Sequence, residues 1–158
     1  MQKIDLNHKT IFVTGAAGFI GSNLVKRLFK DVEGATIVGI DNMNDYYNVS
    51  LKEYRVKELE TLTSQFSVLS YQFIKGDIAD RDTINEIFEK YKPQVVFHAA
   101  AHKHVPLMEV SPMEAIKNNI VGTFNVASLA QFHLVEKFVM ISTDKAVNPT
   151  NVMGASKR

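Results

Sequence analysis

The chain runs to 158 residues, enough for one core and one domain of ordinary size. With 46% apolar and 22% charged residues it has a globular composition, which excludes a disordered or collagen-like chain. A net charge of +1 from 18 basic and 17 acidic residues gives nucleic acid or an anionic membrane little to hold, and the lack of cysteine removes disulfides, thiolate nucleophiles and Cys-based zinc sites.

Short apolar runs alternate with longer amphipathic stretches. Thr10–Thr14 (TIFVT) reads as a strand ended by Gly15, and residues 18–29 as a helix carrying Phe19, Ile20, Leu24, Val25 and Leu28 at helical spacing. Residues 36–40 (TIVGI) form a second strand, 50–66 a surface helix and 70–74 a third strand. A helix is predicted over 80–91, with Asp82 capping or charging its first turn. A fourth strand spans 94–97, a single long helix 111–133, and a fifth strand 137–141. Residues 151–158 begin another helix, so the design reads as cut off rather than finished. Strands that are continuously apolar and each followed by a helix point to a parallel sheet covered on both faces. The longest apolar stretch, 11–25, is broken by Gly15, Gly18, Gly21 and Ser22, short of the roughly 18 residues of a membrane span. No secretory signal is visible in the first ten residues, and a soluble, cytoplasmic protein is expected.

Gly15, Gly18 and Gly21 follow the first strand and open the first helix. Glycine suits the tight turn, the approach of backbone to a pyrophosphate and the packing of helix on strand. The helix N-terminus then offers free N–H groups to phosphates. Asp41, twenty residues beyond Gly21 and at the end of the second strand, can accept the adenosine ribose hydroxyls and repel a 2′-phosphate. The pattern predicts a dinucleotide site that prefers NAD to NADP.

Four motifs carry a resemblance. TGAAGFIGSNL at 14–24, GDIAD at 76–80, HAAA at 98–101 and NNIVGT at 118–123 resemble the extended short-chain dehydrogenase/reductase family, the NAD-dependent epimerases and dehydratases of nucleotide sugars. The resemblance implies a Rossmann-type doubly wound α/β sheet, truncated before the substrate domain, with residues 1–158 as the NAD-binding domain of a larger enzyme. It implies that NAD is held by Gly15, Gly18, Phe19, Ile20, Gly21, Asp41, Asn42, Asp77, Ile78, Ala99, Ala100 and Ala101. Asn119 would order the site and Lys157 bond the nicotinamide ribose. Residues 41–59 (DNMNDYYNVSLKEYRVKEL) are similar to UDP-glucuronate 4-epimerases, whereas the chain from His98 onward is similar to capsular-polysaccharide-type UDP-N-acetylglucosamine 4,6-dehydratases.

A 4,6-dehydratase oxidises the sugar at C4, removes the C5 proton, expels the C6 hydroxyl and returns the hydride. By resemblance Thr143 would bond the reacting sugar oxygen, Asp144 would be the C6 acid and Lys145 the C5 base. Enclosure would push both groups toward their neutral forms, and their adjacency opposes this. The family's Tyr-x-x-x-Lys is Met153 to Lys157 here, so no phenol is available at O4 and Thr143 or a water must serve. His98, His102 and His104 lack an acidic or fourth partner, and no metal is expected. The expected function is the NAD-binding domain of a 4,6-dehydratase acting on a UDP-N-acetylhexosamine in surface polysaccharide biosynthesis. The alternatives are a UDP-glucuronate 4-epimerase and a non-catalytic NAD-binding module or regulator. A homodimer through residues 111–133 and 151–158 is expected, with no turnover of a UDP-sugar by the chain as given.

Overall fold

The computed structural model describes residues 4–45, 48–65, 70–102 and 104–158. Tyr46 and Tyr47 of the epimerase-like motif, Phe66 at the expected end of the second helix, and Lys103 lie outside the described residues. Five strands, β1 (Thr10–Thr14), β2 (Thr36–Asp41), β3 (Ser70–Lys75), β4 (Val95–His98) and β5 (Lys137–Met140), form one sheet in the order β3-β2-β1-β4-β5. Every pairing is parallel, with Thr14 beside Ile40 on one side and His98 on the other. The order reverses at β1, and the crevice at the carboxyl ends of β1, β2 and β4 is where such a sheet takes its ligand.

Both faces are covered, which explains the unbroken apolar strands. Ile11, Val13, Ile37 and Val95 face Val25, Leu28 and Phe29 of α1 (Phe19–Asp31) and Leu59 of α2 (Val49–Gln65). Phe12, Val38, Ile40 and Val96 face Ile84, Ile87 and Phe88 of α3 (Arg81–Tyr91) and Val126, Leu129 and Ala130 of the last helix before β5. Phe88 meets Phe12 edge-on with ring centroids 5.7 Å apart, a contact whose loss to alanine would cost about 3–5 kcal/mol. The cap of α3 is Asp80 rather than Asp82: the Asp80 carboxylate accepts from the N–H groups of Asp82 and Thr83. Asp82 lies in the first turn, where its charge suits the helix dipole.

The expected helix over 111–133 is more complex. A six-residue helix, α4 (Val105–Val110), precedes it with Pro106 in the first turn. The run then begins as α5 (Pro112–Ala115), widens into a π-helical turn over Ile116–Gly122 and continues as α6 (Thr123–Phe132). Backbone angles stay helical at both junctions, so the axis is continuous while the winding changes. After β5, Asp144–Ala146 make a single tight turn, and α7 (Val152–Ser156) packs on it. Asn151 caps α7 through the Gly154 N–H at 2.8 Å. Among the described residues no helix is long and apolar enough to cross a membrane.

Candidate functional site

Strand β1 delivers Gly15 at a positive φ of 69°, against Ala100: a Cβ there would stand 2.9 Å from the Ala100 Cα. A Cβ on Gly21 would strike the Gly15 carbonyl oxygen. The loop is therefore pressed between the start of α1 and the end of β4, with no room for a Cβ at Gly15 or Gly21. Gly18, the N-cap of α1, supplies no capping side chain, and the first turn holds no acid, which leaves the N–H groups there to an anionic ligand. Phe19 and Ile20 project outward, and the Arg55 guanidinium lies 6.0 Å over the Phe19 ring.

A cleft runs from this cradle along the carboxyl edge of β2 and β3, lined by Gly15, Gly18, Asp41, Asn42, Ile78 and Ala99–101. Asp41 is only 8% exposed; its Oδ1 accepts from the Met43 N–H at 2.9 Å and from Lys52 Nζ at 3.1 Å. Lys52 thus sets a buried ammonium beside the carboxylate that the sequence assigns to the ribose hydroxyls. Asp77 does not line the cleft. Its Oδ1 takes the Ala79 N–H, and its Oδ2 pairs with Lys117 at 2.9 Å. Asn125 donates to the carbonyls of Ile78 and Ala79 at 3.1 and 3.0 Å, which presses Ile78 into the cleft wall.

A second cleft opens on the other side of Ala100 and Ala101, lined among others by His98, Asn119, Thr123, Met140 and Lys157. Thr14 Oγ1 accepts from the Ala100 N–H at 3.2 Å and lies 2.8 Å from His98 Nδ1; His98 Nε2 lies 2.9 Å from Thr123 Oγ1. A neutral ring with its proton on Nε2 satisfies all three contacts. Burial, reinforced by the Lys157 ammonium, pushes His98 down to about 4. Asn119 is the hub between the clefts. Its Oδ1 accepts from the His102 N–H at 2.8 Å, and its Nδ2 donates to the His102 carbonyl at 3.0 Å and to Ser156 Oγ at 2.9 Å. It clamps the loop after β4 to α7.

The expected catalytic residues are not gathered at these clefts. Thr143 Oγ1 donates to Asp144 Oδ1 at 2.9 Å, and Lys145 Nζ lies 3.8 Å from the same oxygen. None of the three lines either cleft, and the Asp144 side chain is 88% exposed. The Thr143 hydroxyl first, then the Lys145 ammonium, hold Asp144 below the usual carboxylate range, so in this arrangement it is ionised at neutral pH. Met153, at the family's tyrosine position, is 2% exposed and packs with Met108 and Ala115 under α4 and α5, away from both clefts. Lys157 does reach the second cleft.

Lys52, Asn118 and Asn125 were missed in the sequence. A signal existed for Lys52: it stands four and seven residues before Val56 and Leu59, both buried, on the inward face of α2. For the two asparagines none did, since their placement depends on the π-helical turn. Among the described residues no three metal-ligating side chains come together.

A parallel sheet with a glycine cradle at its switch point and an acid ending β2 defines a dinucleotide-binding domain of the nucleotide-sugar epimerase/dehydratase kind. The chain belongs to the family described as "Polysaccharide biosynthesis protein", whose model matches residues 11–158. It is 45% identical over 155 residues to the capsular polysaccharide biosynthesis protein CapD of Staphylococcus aureus, covering 98% of this chain and 24% of CapD. It is 36% identical over 149 residues to a UDP-glucose 4-epimerase of Rickettsia canadensis, covering 94% of this chain and 40% of the epimerase. The crystal structure of a UDP-glucose 4-epimerase from Brucella ovis in complex with NAD superposes with a TM-score of 0.74 at 25% identity, over 94% of this chain and 44% of that one. The chain thus spans about a quarter to two fifths of the length of these curated relatives.

Proposed function

We propose that the chain is the NAD-binding domain of a nucleotide-sugar 4,6-dehydratase that acts on a UDP-N-acetylhexosamine in surface polysaccharide biosynthesis. The glycine cradle, the open N-terminus of α1 and the Oδ2 of Asp41, which has no donor among the described residues, fit the phosphates and ribose of NAD. When bound, NAD supplies a hydride acceptor at C4 of the sugar and returns the hydride later. The observation that carries the choice of dehydratase is the burial of Met153 among Met108 and Ala115. With no phenol at that position, the proton work falls in this reading to Thr143, Asp144 and Lys145, which follow the end of β5 at Met140. An adjacent carboxyl and amine are what an elimination needs: one group takes the C5 proton and the other gives a proton to the departing O6.

The pair starts as carboxylate and ammonium, 3.8 Å apart. In a site closed over substrate, burial penalises both charges, and moving one proton from Lys145 Nζ to Asp144 Oδ1 leaves a neutral acid and a neutral base. Thr143, which bonds Asp144 in the open arrangement, is then released toward O4. The test uses the full-length protein and an assay for the 4-keto-6-deoxy product from UDP-N-acetylglucosamine. Asp144→Asn and Lys145→Met should each lose about two or more orders of magnitude in turnover, the scale of a lost general acid or base. Full activity in Asp144→Asn sinks the mechanism, and release of the C4 epimer without loss of water sinks the choice of reaction.

A further inference from the structure

We propose that Lys52 sets the cofactor selectivity of the adenosine cleft: by pairing with Asp41 it lets dinucleotides with and without a 2′-phosphate both bind, NAD the tighter. The inference rests on the reading of this cleft as a dinucleotide site. Among the described residues that line it, Asp41 and Lys52 carry the only formal charges, and they lie 3.1 Å apart with both side chains under a tenth exposed. The ribose end of the cleft is therefore electrically neutral. An acid without such a partner excludes NADP by repulsion between carboxylate and phosphate; NADP sites commonly place a cation there instead. This cleft holds both.

The hydrogen-bond inventory shows what each ligand would meet. Asp41 Oδ1 is filled by the Met43 N–H and Lys52, and Oδ2 has no donor among the described residues. A ribose 2′-hydroxyl can donate to it. Lys52 Nζ spends two of its three N–H groups on Asp41 Oδ1 and on Asn44 Oδ1 at 2.9 Å. The third has no acceptor among the described residues, and a 2′-phosphate oxygen can take it. One rim thus presents an unfilled acceptor to a hydroxyl and an unfilled, charged donor to a phosphate. Lys52 projects from the inward face of α2, which also buries Val56 and Leu59, and its two hydrogen bonds hold the ammonium in the cleft.

Calorimetric titration of the chain with NAD and with NADP tests this. The parent is expected to bind both, NAD by no more than about thirtyfold tighter. Lys52→Met should weaken NADP at least tenfold while moving NAD less than threefold, and Lys52→Arg should keep the parent ratio. If circular dichroism shows Lys52→Met to be unfolded, Asp41→Asn decides instead: with the cation uncompensated, the preference must turn to NADP. NADP binding that is undetectable in the parent overturns the proposal, as does an unchanged ratio in folded Lys52→Met or a retained NAD preference in Asp41→Asn. A parent that binds neither dinucleotide overturns the cofactor reading itself, and this inference with it.

Discussion

Asn119 is the most exacting test of how the two clefts are joined. Its amide satisfies the N–H and C=O of buried His102 and bonds Ser156 Oγ on α7. Asn119→Ala deletes three hydrogen bonds at once, two of them to the buried backbone of His102; Ser156 keeps its bond to the Met153 carbonyl at 2.9 Å. A net contribution of about 1 kcal/mol per hydrogen bond puts the loss at about 3 kcal/mol in all. For a domain of this size that lowers the melting temperature by about 6–12 °C. Asn119→Asp is sharper. Its oxygen in place of Nδ2 would face the His102 carbonyl at the 3.0 Å where an N–H now donates, an acceptor against an acceptor. Protonation of the aspartate restores a donor, so Asn119→Asp should be more stable relative to the parent at pH 5 than at pH 8. Thermal denaturation followed by circular dichroism at the two pH values measures both effects. An alanine variant that melts within 2 °C of the parent, or an aspartate variant whose deficit ignores pH, refutes the account of Asn119 as the clamp.

Three further outcomes follow from the same geometry. Met153→Tyr puts a larger, polar side chain into the packed contact with Met108 and Ala115; overpacking should cost about 1–3 kcal/mol in chemical denaturation, and turnover of the full-length enzyme should not rise. His98, neutral and held to about 4 in the folded chain against an ordinary value near 6.5, binds its proton more readily when unfolded, so its contribution is complete above about pH 6.5 and is lost as pH falls toward 4. That loss is worth about 3 kcal/mol, and a denaturation series from pH 7 to 4 should show a slope that His98→Gln flattens. Met113 and Phe124, 70% and 66% exposed, lie with Ile116 and Ile120 along one side of the helical run, more apolar surface than a monomer leaves uncovered; light scattering at tens of micromolar should report a dimer, and Phe124→Glu a monomer.

The sheet and its helices were legible because the inner strands β1, β2 and β4 are buried on both faces and write that into sequence as nearly unbroken apolar runs. The glycine spacing is legible because backbone crowding at Gly15 and Gly21 leaves no room for a Cβ, and Asp41 lines the same cleft from the end of β2. Charge compensation was not legible in the acid itself, since it comes from Lys52, eleven residues on and in a different element. The helical run 112–132 hid its structure because a single widened turn leaves most of the periodicity intact. The burial of Met153 with Met108 depends on α4, a six-residue helix with proline in its first turn that the periodicity does not announce.

The widened turn at Ile116–Gly122 constrains how this stretch of chain can change over time. It brings consecutive residues, Asn118 and Asn119, to two different clefts, while Ala115 ahead of it and Val126 and Leu129 behind it stay buried. Removing one residue from the turn would restore regular winding and leave α5 and α6 on the faces they now occupy, because a π-helical turn absorbs one extra residue within an otherwise α-helical run. The sheet-facing side of α6 would survive such a loss, and one of the two asparagine positions would not. This stretch of chain can therefore shorten by one residue at the expense of a cleft and not of the core, which ties the widened turn to the clefts it serves.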